Sequence, residues 1–154
     1  MCVGSDKFVC DSVAPIVAEI LKNEYNIDAF VYGGLDYNIN ATNLSEAVNY
    51  IETVHPSKHI VLIDVTLGEN VGNVILRDGS FPGMGKSLPI RKVGMTSILA
   101  VVARKVAKFD LNSVKLRNVM NMARFIAQGC YLAVSKLTKD KFDNNRVKMA
   151  SNNY

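Results

Sequence analysis

The sequence predicts an α/β domain, a three-layer sandwich in which helices flank a mostly parallel or mixed sheet. Strand and helix signals alternate along the chain, with no internal repeat or linker before residue 138. The run Ile60-Val61-Leu62-Ile63 is apolar on both faces, as a strand inside a parallel sheet requires. Three other stretches carry apolar residues at helical spacing.

In order, Cys2-Val3 before Gly4 is a strand signal shorter than the usual five or six residues. Either the chain begins inside its first strand or a longer N-terminus precedes it. A helix follows on Val13, Ile16, Val17, Ile20 and Leu21, with Ser12 as N-cap and Pro15 in the first turn, where its missing N–H costs nothing. Ala29-Phe30-Val31-Tyr32 reads as a short buried strand. A second helix begins at Asn43, whose spacing to Glu46 forms a capping box. Its stripe is Leu44, Ala47, Val48, Ile51 and Val54, and Pro56 ends it.

After the strand at Ile60, Val71 to Leu76 is another. Lys92 to Val102 holds a further one, with Gly94 as a bulge and its end turning into helix. The last helix, about 112 to 136, aligns Leu116, Val119, Met120, Ala123, Ile126, Ala127, Cys130, Val134 and Leu137 as core packing. Residues 1–137 therefore form one domain, and 138–154 a basic, flexible tail.

At 154 residues, 49% hydrophobic and 21% charged, the chain can bury a real core. No apolar run reaches the roughly 18 residues of a membrane span, and no secretory signal opens the chain. A cytoplasmic protein without membrane contact is expected. Cys2, Cys10 and Cys130 show no metal-ligand spacing, and His55 and His59 lie far from them, so free thiols are expected and neither metal nor cofactor is called for.

The net charge of +4 comes largely from Arg104, Lys105, Lys108, Lys115 and Arg117 and from Lys136, Lys139, Lys141, Arg146 and Lys148. No aromatic interleaving accompanies these groups, which favours solvated faces over a nucleic-acid surface.

Two aspartates carry the chemical promise. Asp64 ends the apolar run at Ile63, and groups at the carboxyl ends of strands line the ligand crevice of open α/β sheets. It is equally a turn aspartate holding local N–H groups. Asp11 lies in the connection from Gly4 to the first helix, near the positive helix end, where it either serves a site or caps the helix. Asp6 is a third candidate on the same connection. If the first strand and the Ile60 strand are parallel neighbours, both carboxyls leave the sheet at one end. Two close carboxyls do not both ionise readily, so one keeps a proton while the other activates water. Asp64 is the better base and Asp11 its proton-sharing partner, though the roles can be exchanged. Thr66 and Ser12 would orient the pair.

Other motifs fail on inspection. Gly83-Met84-Gly85-Lys86-Ser87 resembles the end of a P-loop, but position 80 is Ser80 and Leu88-Pro89 follows where a helix is needed. No Gly-x-Ser-x-Gly elbow is present.

A series of motifs, in order, resembles the YyaC-like sporulation proteins of spore-forming bacteria. It comprises Cys2-Val3-Gly4-Ser5-Asp6, Cys10-Asp11-Ser12-Val13-Ala14-Pro15, Val31-Tyr32-Gly33-Gly34-Leu35-Asp36, Ile63-Asp64-Val65-Thr66-Leu67-Gly68, and Pro82-Gly83-Met84-Gly85. That family is similar in turn to germination proteases and, more remotely, to hydrogenase maturation endopeptidases. The resemblance implies a three-layer fold of the phosphorylase/hydrolase type. It also implies peptide-bond hydrolysis at a catalytic pair matching Asp11 and Asp64, a protein or peptide substrate, and residence in the sporulating cell or spore. The chain departs from the pattern at Ala14, where glycine is usual, and at Asn40, where histidine is common. Nothing matches the metal-binding histidine of the hydrogenase enzymes. A non-catalytic binding or regulatory protein on the same fold is the alternative.

Overall fold

The structure is a computed structural model that describes residues 1–56, 58–79, 95–105 and 113–151, with side chains to residue 140. The P-loop-like run, Gly94 and Lys108 lie outside the described residues. Helices α1 (Val13–Glu19) and α2 (Leu44–Val54) precede strands β1 (Ile60–Leu67), β2 (Val74–Asp78) and β3 (Met95–Ala103), and helix α3 (Leu116–Ser151) follows. The strand order is β1-β3-β2, with β1 parallel and β2 antiparallel to β3. The sheet is therefore mixed, and the α/β fold class stands.

Alternation along the strands sorts the side chains into two cores on opposite faces. Ile63, Ala100 and Val102 pack with Val13 and Val17 of α1 and with Val119, Ala123 and Ile126 of α3. Leu62 and Met95 pack with Val48 and Ile51 of α2. Helix, sheet and helix make three layers. Within the described residues no helix is long and apolar enough to cross a membrane. The basic residues Arg104, Lys105, Lys115, Arg117, Lys136 and Lys139 are exposed, as solvated faces should be.

Several local expectations are corrected. Cys2 and Val3 form single parallel bridges, to Ile63 and Ile39, rather than a strand. Ala29 to Tyr32 is not a strand, and Phe30 is 74% exposed with its ring 4.1 Å from that of His55. Its apolar signal serves ring packing outside α2, because the neighbouring backbone offers only Cys2, whose N–H donates to the Tyr32 carbonyl at 2.8 Å.

Neither expected cap forms. The Ser12 hydroxyl donates to the Val9 carbonyl at 2.8 Å, because Val9–Asp11 winds into a 3-10 turn that sets this carbonyl within reach. The Asn43 side chain turns backwards, accepting the Asn40 N–H at 2.8 Å and donating to the Asn38 carbonyl at 2.9 Å.

Strand limits shift as well. β2 starts at Val74, not Val71, because residues before it turn to send the Gly72 N–H to the Val101 carbonyl at 2.8 Å. β3 stays extended to Ala103 instead of becoming helix. The helical backbone of α3 begins at Leu116 and continues to Ser151, through the segment expected to form a tail.

The packing gives a stability test. Ile126 is 3% exposed in the α1–α3 core, whereas Leu132 on the same helix is 58% exposed. Urea unfolding should show Ile126→Ala destabilising the chain by about 2–5 kcal/mol. Leu132→Ala should change stability by no more than about 0.5 kcal/mol.

Candidate active site

The site is built by the way the first residues lie on the sheet. The Ile63 N–H donates to the Met1 carbonyl at 2.9 Å, and the Val3 N–H donates to the Ile63 carbonyl at 2.8 Å. The N-terminal segment is thus a parallel neighbour of β1, the pairing on which a shared site for the two aspartates depends.

Gly4 then lets the chain fold back on itself. Its φ is +152°, and a Cβ there would collide with the Asp11 carbonyl, so only glycine fits. The same carbonyl accepts the Ser5 N–H at 3.1 Å. Asp11 is consequently held over the end of the segment that pairs with Ile63, the residue before Asp64.

Asp64 lies inside β1, not past its end. The strand continues because Val65 and Leu67, on the parity of Ile63, still reach the α1–α3 core. Asp64 and Thr66 take the opposite parity. The Asp64 Oδ1 accepts the Val65 N–H at 2.7 Å.

Both carboxyls are pushed up. Burial raises Asp11 to about 6, opposed by the Ser5 main-chain N–H. Burial raises Asp64 to about 7, opposed by the Val65 N–H and reinforced by the charge on Asp11. The charge on Asp11, when ionised, helps Asp64 keep its proton. Both values exceed the ordinary 3.8, so the folded state binds more protons than the unfolded chain. Stability from this source is full below 3.8 and is lost as pH rises through about 6 and 7.

The other sequence candidates do not join the pair. Asp6 is exposed, and its main-chain N–H donates to the Asn38 Oδ1 at 3.2 Å. The Ser12 hydroxyl is engaged with Val9, and the Thr66 hydroxyl faces the Leu67 carbonyl at 3.5 Å. His55 pairs with the Tyr32 hydroxyl at 2.6 Å and His59 with that of Thr96 at 2.8 Å. Cys2, Cys10 and Cys130 are free, and burial raises the Cys2 and Cys130 thiols. Sequence reasoning missed Gly4 as the residue that admits Asp11; a glycine straight after two apolar residues was the available signal.

In class, then, this is an α/β domain with a mixed sheet and two half-buried aspartates, Asp64 on β1 and Asp11 on the turn before α1. The chain belongs to the family described as "Protein of unknown function (DUF1256)", whose model matches residues 1–129. It is 31% identical over 137 residues to the uncharacterized protein YyaC of Bacillus subtilis (strain 168), covering 86% of this chain and 67% of that protein. The crystal structure of a NiFe hydrogenase maturation protease, HycI from Thermococcus kodakarensis KOD1, aligns with a TM-score of 0.49 and 22% identity. That alignment covers 82% of this chain and 87% of the other.

Carboxyl-carbon NMR titration should give midpoints near 6 for Asp11 and near 7 for Asp64. Asp11→Asn should lower the Asp64 midpoint by removing the neighbouring charge. Two midpoints at the ordinary carboxylate value would contradict this geometry.

Proposed function

We propose that the chain is a peptide-bond hydrolase of the sporulating cell or spore, acting through Asp11 and Asp64 without a metal. One observation carries the reading: the parallel pairing of the N-terminal segment with β1 at Ile63, which brings the connection bearing Asp11 to the strand bearing Asp64. The motif resemblance to germination proteases falls on the same two residues.

Both carboxyls are raised toward neutrality, so the pair can share one proton, and either aspartate can serve as the base. With one proton on the pair, the exchanged assignment places it on Asp64, the more raised of the two, and leaves Asp11 as the carboxylate. Asp11 accepts a proton from water as the water oxygen bonds to the scissile carbonyl carbon. Asp64 gives its proton to the leaving nitrogen as the carbon–nitrogen bond breaks. Transfer of the proton from Asp11 to Asp64 restores the pair. The pair titrates as a unit, so its two steps bound the active window.

A second reading, a binding or regulatory protein on the same fold, has its own support. Asp64 already accepts the Val65 amide. Asn40, where histidine is common in the YyaC-like proteins, has its Oδ1 occupied by the Thr42 N–H at 3.0 Å and the Thr42 hydroxyl at 2.7 Å.

Cleavage of small acid-soluble spore proteins separates the two. On the hydrolase reading, Asp11→Asn and Asp64→Asn each lower kcat by about 10²–10⁴-fold. The wild-type rate rises with pH near 6 and falls near 7. Equal cleavage by wild type and Asp64→Asn, or cleavage by neither, selects the binding protein.

A further inference from the structure

The turn that carries Asp11 also holds two apolar side chains in solvent. Phe8 is 47% exposed and Val9 39%, while Cys10, next in sequence, is 4% exposed. Frayed segments expose apolar groups because nothing holds them. Here the backbone at both positions is braced. The Phe8 carbonyl accepts the Asp11 N–H at 2.9 Å. The Val9 carbonyl accepts the Ser12 N–H at 3.3 Å and the Ser12 hydroxyl at 2.8 Å. One short 3-10 turn therefore sends Cys10 inward, leaves Asp11 half-buried and presents Phe8 and Val9 outward.

The brace also gives Ser12 a purpose other than capping. Its hydroxyl is committed to the residue behind it, which fixes where Val9 stands relative to Asp11. Two exposed apolar side chains on the braced turn that also carries Asp11 suit a ligand that offers an apolar group next to a polar one, as an extended polypeptide substrate of the proposed hydrolase does.

We propose that Phe8 and Val9 form a specificity-determining lip for the Asp11–Asp64 site, taking an apolar side chain of an extended polypeptide next to the bond to be cut. This rests on the hydrolase reading. The lip works by removing apolar surface from water, so it selects leucine-like over serine-like side chains at that position.

The test uses the full chain and two end-blocked, fluorescein-labelled peptides, Ala-Ala-Leu-Ala-Ala-Lys and Ala-Ala-Ser-Ala-Ala-Lys. Binding is measured with Asp64→Asn, which cannot turn them over. The leucine peptide should bind about ten-fold tighter than the serine peptide. Adding Phe8→Ser should remove that preference without moving the urea midpoint. In the active chain, Phe8→Ser should raise KM for the leucine peptide. Equal binding of the two peptides, or a preference that survives both Phe8→Ser and Val9→Ser, overturns the lip. So does Phe8→Ser turning a dimer into a monomer in sedimentation while peptide binding is unchanged, since the patch would then join two copies. If the wild type cuts neither peptide but the preference depends on Phe8, the hydrolase reading fails and the lip stands as a peptide-binding surface. If it cuts both at rates indifferent to Phe8→Ser, the lip fails and the hydrolase reading stands.

Discussion

The first three residues lie parallel to β1 through main-chain hydrogen bonds on either side of Ile63, and the position of Asp11 depends on them. Those bonds set the level at which Gly4 follows, and Gly4 in turn admits the Asp11 carbonyl. Were the pairing shifted by one residue, the alternation of side chains would reverse and Cys2 would leave the α1–α3 core. The site is thus a consequence of strand register before it is a matter of side-chain chemistry.

Burial then raises both aspartates above the ordinary carboxylate range. Each loses hydration, which favours the neutral acid, and each recovers part of that loss from one main-chain N–H. What separates them is the depth of burial and the charge of Asp11 acting on Asp64. The proton count of the pair, rather than any single residue, is the quantity that changes between pH 6 and 7. Membership of a family described only as of unknown function leaves that chemistry to be tested on this chain itself.

Much of the layer structure was legible in the sequence. Ile60 to Ile63 needs two apolar faces because both cores contact it, and the stripes of α1, α2 and α3 mark the faces they bury except at Val54, Leu116 and Leu137, which are exposed. Asp11 and Asp64 were singled out by their position relative to apolar segments, which is a sequence property. The rest depended on contacts between distant segments. Whether β1 stops at Ile63 or runs to Leu67 is decided by how far the α1–α3 core extends, which no local pattern records. The caps failed for a related reason: Ser12 and Asn43 each had a closer partner supplied by the preceding turn. Ala29 to Tyr32 misled because aromatic residues suit a strand and a ring stack equally well, and His55 was the stacking partner. Thr66 shares the strand face of Asp64 but its hydroxyl faces the Leu67 carbonyl, and Asp6 is exposed.

The central claim is that Asp11 and Asp64 feel one another's charge. A double-mutant cycle on unfolding free energy, with Asp11→Asn, Asp64→Asn and the double variant, tests it most directly when run at pH 4 and at pH 8. The account predicts additive effects at pH 4, where both groups are protonated. At pH 8 the effects should be non-additive, because removing either charge relieves the same repulsion. Additivity at both pH values would mean that the two carboxyls do not share a site.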